Sequence, residues 1–161
     1  MIAGRIVGIA GGISGAVLAA LVLAGCGPSA PVASPRPSDG TSAFALVPGD
    51  CFDEPSTKSV KNIQTVDCDT PHTYEAYSSI TLDDGASGEF PGSASVSKAA
   101  DTGCAADFTG FIGVESTAST LKINYFAPDA TSWEQMHDRQ VLCLVYDPAG
   151  KTTGSLLGSR R

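Results

Sequence analysis

The segment VDCDTPHTYEAY, residues 66–77, holds the residue types in this chain that are most capable of chemistry. Cys68 and His72 stand four positions apart, with Asp69 and Glu75 nearby. A thiol beside an imidazole could be an activated nucleophile, and the same pair could ligate zinc. In a structural interpretation the cysteine forms a disulfide at a turn between two strands. His72 then caps the turn or meets solvent, with Glu75 or Asp69 as a possible ion-pair partner.

The number of cysteines favours the structural interpretation. The chain has five cysteines, an odd number for a secreted protein. Residues 23–26 read LAGC, which resembles the lipobox of bacterial lipoproteins, where the cysteine after the cleavage point carries a lipid. With Cys26 lipidated, four cysteines remain, and they can form two disulfides in three connectivities. They are Cys51, Cys68, Cys104 and Cys143.

The N-terminal residues indicate export. Arg5 is the one charge in residues 1–25, and an uncharged stretch follows it up to the LAGC motif. We predict a lipoprotein signal peptide at 1–25; the alternative is an uncleaved membrane anchor. Either segment places the rest of the chain outside the cytoplasm. We expect the outer face of the cell membrane, with membrane contact through the lipid on Cys26.

Composition divides the remainder into a linker and a domain. Residues 26–43 are rich in Pro, Ser and Ala and contain too few apolar residues to form a core, so we predict a disordered tether. Residues 44–161 have the length of one domain. Cleavage would remove Arg5 and change the formal net charge from −7 to −8. An acidic chain without a basic patch argues against nucleic acid as a partner.

Hydrophobic patterns predict the strands of this domain. FALV, before the turn PGD, and IQTVDC are expected to form the first two. Residues 73–82 alternate as in a half-buried strand, and LKINYFAP alternates again. QVLCLVY is apolar at nearly every position, which is typical of a central strand covered on both faces. TTGSLLGS is expected to form a last, edge strand.

The stretch between residues 93 and 113 changes to a helical period. We predict a helix that starts near Ser93 or Ser95 and ends at Gly110, with an apolar stripe that includes Ala99 and Cys104. The stripe would face the sheet, where Cys143 lies in the predicted central strand. We therefore favour the pairs Cys104–Cys143 and Cys51–Cys68. The predicted fold is α+β: a small antiparallel sheet of about four to five strands with one main helix packed on it, held by two disulfides.

Several fragments, in this order, resemble the septum-formation domain family of exported and membrane-anchored bacterial proteins. They are PGDCF, CDTPHTYEAY, FPG, FAPDATSW, DRQVLCLV and TGSLLGS, together with Cys104. The resemblance covers essentially all of residues 44–161 and implies a context in cell division. It implies no catalytic residue and no cofactor. One position departs from the pattern: the family usually has a glycine shortly before the Asp138-Arg139 pair, where this chain has Met136 and His137. A glycine adopts a positive φ at no steric cost, whereas Met and His do not, so the sequence does not define the geometry of this turn.

Other site types fit the residues poorly. A zinc site would need Cys68 with His72, or His137 with Cys143, and neither spacing matches the paired CxxC sets of structural sites. The sequence has no CxxC redox motif and no GxSxG motif. We expect Trp133 to be a core or edge anchor. We predict no metal site and no catalytic residue.

These observations predict a lipid-anchored, non-catalytic binding or scaffolding module of the cell envelope. Its partner would be an envelope or division protein that the sequence does not identify. The first alternative is a thiol- or metal-dependent enzyme centred on Cys68 and His72. The second is a solute-binding lipoprotein, which the size disfavours because such proteins usually close two lobes around a ligand.

Overall fold

The computed structural model describes residues 42–54, 63–83 and 88–161, which belong to one compact unit. The predicted signal peptide, Cys26 and nearly all of the tether lie outside the described residues. No helix in the described part of the chain has the length and apolar character needed to cross a bilayer.

The described residues form five strands, two α-helices and one 3-10 helix. The sheet is antiparallel throughout, with the strand order β2-β1-β3-β5-β4, and α1 is the main helix. The predicted α+β class, strand number and main helix are confirmed. The elements are the 3-10 helix Ala43–Ala45, β1 Cys51–Phe52, β2 Thr65–Val66, β3 Tyr74–Thr81, α1 Ser93–Ile112, β4 Lys122–Phe126, α2 Ala130–Gln135 and β5 Gln140–Tyr146.

Helix α1 begins at Ser93, as predicted, and ends two residues after the predicted end at Gly110. Gly113 ends it, because its φ of 89° lies in the left-handed region that a glycine adopts without steric cost. One predicted member of the apolar stripe is wrong, since Ala99 is exposed. The residues that α1 buries against the sheet recur every four positions and are Val96, Ala100, Cys104, Phe108 and Ile112.

The sheet has an apolar core on each of its faces. The helical face packs Cys104 and Phe108 of α1 against Val141, Cys143 and Val145 of β5. On the opposite face, no helix covers the sheet within the described residues. A smaller core lies there and consists of Leu46, Phe52, Ile63, Ala76, Leu142 and Leu144. Strand β5 contributes to both cores, so the prediction that QVLCLVY is covered on both faces is confirmed.

Two predicted strands are absent from the described structure. The first two residues of FALV, Phe44 and Ala45, belong to the 3-10 helix Ala43–Ala45, whose N-cap Ser42 accepts a hydrogen bond from the amide of Phe44. The segment TTGSLLGS forms no strand, because Gly154 and Gly158 take positive φ values that break an extended chain. It contributes one bridge, between His72 and Thr152. IQTVDC is a strand at two residues only, Thr65–Val66.

Strand β3 does not alternate as predicted. Glu75, Ala76 and Tyr77 are buried in succession. A register shift between Ala76 and Ser78 interrupts the pairing with β5, and such an irregularity changes which face the following side chains take. The carboxylate of Glu75 is therefore inside the domain.

Candidate functional site

The four cysteines of the domain form two disulfides. Cys51 is bonded to Cys68, with a Cα–Cα distance of 5.3 Å, and Cys104 to Cys143, at 5.5 Å. This is the connectivity that the sequence analysis favoured. The first disulfide joins β1 to the turn before β3, and the second joins α1 to β5.

The disulfides remove the free thiols that the predicted histidine and cysteine pairs would need. Cys68 has no free thiol in this structure, so Cys68 and His72 do not form an activated nucleophile here. Cys143 is bonded to Cys104, so it is not available to ligate a metal with His137. The pairs proposed from spacing alone are therefore not present as reactive sites.

Of the two expectations for His72, contact with solvent is wrong, because the side chain is fully buried, whereas contact with the turn is present. Its Nδ1 lies 2.8 Å from the carbonyl oxygen of Thr70, and its Nε2 lies 3.3 Å from the hydroxyl of Thr152. The backbones of His72 and Thr152 also exchange two hydrogen bonds of 2.9 Å. The C-terminal segment TTGSLLGS, which the sequence predicts to be an edge strand, covers His72 through Thr152.

Glu75 is a buried carboxylate that the sequence analysis did not single out as a site residue. Only 2 % of it is exposed, and both oxygens accept hydrogen bonds from the C-terminal segment. The hydroxyl of Ser155 donates at 2.6 Å and the amide of Leu156 at 2.7 Å. These bonds offset part of the cost of burying a charge. An acidic residue in the middle of a strand pattern was the only available signal.

Cys51, His72 and Glu75 lie together in the interior. One ligand atom from each, the cysteine Sγ, a ring nitrogen and a carboxylate oxygen, lies within 4.8 Å of both others. Cys51 and Glu75 are direct partners in the pairing of β1 with β3. Sequence spacing could not have predicted this cluster, because Cys51 is 24 positions from Glu75 and the sheet brings them together.

Trp133 is buried, as expected for a core anchor. Its indole NH donates to the carbonyl of Gly88 at 3.0 Å, and Phe90 packs edge-on at 5.8 Å between ring centroids. The guanidinium of Arg139 lies over the ring, 3.6 Å from its centroid, and donates to the Trp133 carbonyl at 2.8 Å. This arrangement is an internal anchor for the loop that contains Gly88.

The turn before Asp138, whose geometry the sequence left open, contains a left-handed residue. His137 has a φ of 53°, in the left-handed region, at the place where the family usually has a glycine. The preceding helix α2 begins with a capping box, in which Asp129 and Ser132 each accept a hydrogen bond from the backbone amide of the other. The fold thus keeps the turn without the glycine.

An ion pair joins the loop after β1 to the loop after β5. Lys151 donates to the carboxylate of Asp53 at 2.8 Å, and the hydroxyl of Thr73 donates to it at 3.0 Å. Partial burial raises the pKa of Asp53, but the hydrogen bonds from Lys151 and Thr73 and the charge of Lys151 outweigh it, so the pKa lies below its usual value. At neutral pH this carboxylate is charged.

An open groove lies on the face of the sheet opposite α1. Phe44, which is 52 % exposed, stands at one side, and Phe126 and Leu142 form apolar parts of the lining. Asp138 and Gln140 add polar groups, and Ala43 and Ala127 complete the lining. The open space is about 450 Å³, including solvent at the mouth. The groove can accept side chains of another molecule.

The geometry defines a small, disulfide-stabilised α+β domain with an apolar groove and a buried Cys-His-Glu cluster. A family model described as "Septum formation" matches residues 34–153. The chain belongs to this septum formation family. Membership points to an envelope- or division-related role and suggests an exported envelope protein; the family is not known as one of enzymes. No curated protein and no solved structure matches the chain significantly.

Proposed function

We propose that this protein is a lipid-anchored, non-catalytic binding module at the outer face of the cell membrane, which holds a partner of the envelope or division machinery. The proposed organisation is a signal peptide at 1–25, a tether at 26–43 and the binding domain at 44–161. Cys26 carries the lipid. The LAGC motif, the Pro-rich composition and the even number of cysteines in the domain support this organisation.

The observation that carries the binding function is the exposed groove around Phe44, Phe126 and Leu142. Large apolar side chains in contact with solvent commonly mark interaction sites when they border a concave surface. Phe44 is 52 % exposed, whereas Leu46, two positions later in the chain, is only 2 % exposed. A partner would bury the exposed half of Phe44 and gain roughly 0.8–1.5 kcal/mol from it.

The charges indicate the kind of partner segment. The chain is acidic, with a formal net charge of −7, and Asp138 lines the groove. A segment with a bulky apolar side chain beside a lysine or arginine fits both features, because the apolar group enters the groove and the cation meets Asp138. We assign this segment to an envelope protein, in keeping with the family.

In-cell photocrosslinking tests the groove. A photoreactive phenylalanine analogue at Phe44 should crosslink to one envelope or division protein, identified by mass spectrometry. The same analogue at Ala99, which is exposed on α1 and so lies across the sheet from the groove, is the matched control and should not capture that protein. Equal capture at both positions, or none at Phe44, would rule out the groove as the binding site.

Peptide mass spectrometry of protein from native membranes tests the anchor separately. We expect cleavage before Cys26 and a diacylglyceryl group on its sulfur. A Cys26→Ala variant should carry no lipid. An uncleaved N-terminus, or an unmodified Cys26 in membrane-bound protein, would exclude lipid anchoring.

A further inference from the structure

The buried cluster of Cys51, His72 and Glu75 has the composition of a zinc site. Thiolate sulfur, imidazole nitrogen and carboxylate oxygen are the three donor types that proteins use for zinc. All three side chains are at most 2 % exposed, so this is not a group of surface acids that come close by chance. The cluster differs from a metal site in its sulfur, because Cys51 forms a disulfide with Cys68 and is not a thiolate.

Hydrogen bonds from neighbouring groups orient the ligand atoms of the cluster, as hydrogen bonds do around the ligands of a bound metal. The Thr70 carbonyl can only accept a hydrogen bond, so the 2.8 Å contact places a proton on Nδ1 of His72. In a neutral ring this leaves the lone pair on Nε2, whose neighbour Thr152 is 3.3 Å away. A histidine that ligates zinc typically donates its other ring NH to a carbonyl in this way. The bonds from Ser155 and Leu156 likewise fix the Glu75 carboxylate.

The spacing requires only a small adjustment. Around a tetrahedral zinc, ligand atoms at 2.0–2.3 Å from the metal are about 3.3–3.8 Å apart. The three atoms here lie within 4.8 Å of one another, so each distance has to shorten by about 1.5 Å at most. Cys51 and Glu75 are held side by side by the pairing of β1 with β3. Cys68 remains beside Cys51 after reduction, because their Cα atoms are 5.3 Å apart.

We propose that reduction of the Cys51–Cys68 disulfide converts this cluster into a zinc site with Cys51, Cys68, His72 and Glu75 as ligands. The thiolate of a dithiol reductant attacks the Sγ of Cys68, which is the more exposed of the two sulfurs. A mixed disulfide forms at Cys68, and Cys51 leaves as a thiolate. The second thiol of the reductant then releases Cys68 and closes the reductant's own disulfide.

The redox step transfers two electrons and two protons from the reductant to the protein. Zinc then displaces the protons from the Cys51 and Cys68 thiols, because thiolates are the ligands. A disulfide sulfur is not a thiolate, so the oxidised protein lacks two of the four ligands. Disulfide and zinc are thus alternative ways to hold β1 next to the turn that contains Cys68. This site is separate from the groove, and its failure would leave the proposed binding function unaffected.

Zinc titration of the purified protein against a chromophoric chelator tests the site. With a phosphine reductant we expect one tightly bound zinc per chain, and without reductant at least 100-fold weaker binding. Cobalt(II) in place of zinc should give the visible bands of a tetrahedral site and a thiolate charge-transfer band. Equal zinc binding in the two redox states, or none in the reduced state, would overturn the proposal.

Variants separate this site from unspecific binding by thiols. Cys68→Ser keeps the Cys51 thiol, His72 and Glu75 and needs no reductant, so it should bind zinc while the Cys104–Cys143 disulfide stays closed. His72→Gln and Glu75→Gln, each added to Cys68→Ser, should weaken binding at least tenfold. Unchanged binding in both would refute the site. If Cys68→Ser is unfolded by circular dichroism, zinc should refold it, and failure to do so would also refute the site.

Discussion

The hydroxyl of Tyr77 in β3 donates a hydrogen bond to the carbonyl of Cys104 in α1, at 2.6 Å. The contact lies in the apolar core beneath the helix, next to the Cys104–Cys143 disulfide. Burial raises the pKa of Tyr77 above its ordinary value of 10.0, and the carboxylate of Asp107 adds to the shift. The phenol therefore stays protonated in the folded protein at a pH where it ionises in the unfolded chain.

This difference predicts a loss of stability in alkali. A group whose folded pKa is raised stabilises the protein fully below its unfolded pKa, and this stability is lost as the pH rises from about 10 towards the folded pKa. Tyr77→Phe should cost about 1 kcal/mol at pH 8, because the hydrogen bond is lost. The difference in the free energy of unfolding between wild type and variant should become smaller above pH 10, because the wild type loses stability there. Urea midpoints of both proteins between pH 8 and 11.5 measure this difference. A difference that stays constant would contradict a raised pKa for Tyr77.

Replacing His137 with glycine should stabilise the domain. A left-handed residue with a Cβ costs about 1–2 kcal/mol, whereas glycine loses about 0.5–1 kcal/mol more conformational entropy on folding. The expected net gain is about 0.5 kcal/mol in the free energy of unfolding. Met136→Gly is the matched control, since Met136 has a φ of −114° and should only lose stability. Chemical denaturation compares the two; stabilisation by both would show that the φ of His137 is not the cause.

Two glycines inside α1 should respond differently to alanine. An added Cβ at Gly110 meets no atom within 4 Å, so Gly110→Ala should stabilise the domain by about 0.5–1 kcal/mol through helix propensity. At Gly103 the Cβ would lie 2.5 Å from the Cδ1 of Ile80, so the side chain of Ile80 must move. Gly103→Ala should therefore gain less or lose stability. Thermal denaturation tests the order, and a larger gain at Gly103 would contradict the packing.

The stacking of Arg139 on Trp133 should not tolerate lysine. Arg139→Lys loses the planar group that lies over the indole ring and donates to the Trp133 carbonyl, so we expect a loss of about 1–2 kcal/mol. Trp133 is the only tryptophan, so its fluorescence reports the change directly. Arg161→Lys is the control, because Arg161 is 44 % exposed and its ion pair with Asp147 should contribute under 1 kcal/mol. Equal losses would contradict a specific role for Arg139.

Much of the architecture could be predicted because it depends on local periodicity. The four-residue spacing of the apolar side chains from Val96 to Phe108 specifies a helix with one buried face. The continuous apolar run at residues 141–146 specifies a strand covered on both faces. The favoured disulfide between Cys104 and Cys143 followed from these two patterns together.

The parts that were predicted wrongly depend on contacts between distant residues. TTGSLLGS looks like an edge strand, yet its polar groups cover His72 and Glu75, about 80 positions earlier in the chain. The buried carboxylate of Glu75 in β3 is stabilised by hydrogen bonds from Ser155 and Leu156. No local sequence pattern encodes these contacts. The groove at Phe44 likewise exists only because residues 43–47 pack across the sheet.

The sequence by itself determined the fold class, the family, the cysteine pairing that we favoured and the expectation of export, because periodicity, spacing and composition are local properties. Only the tertiary structure decided which side chains meet. It placed Cys51, His72 and Glu75 within 4.8 Å of one another in the interior and left Phe44 in solvent. The physical reason is that burial and donor geometry arise from the pairing of β1 with β3 and from the return of the C-terminal segment. These contacts join residues between 24 and 81 positions apart.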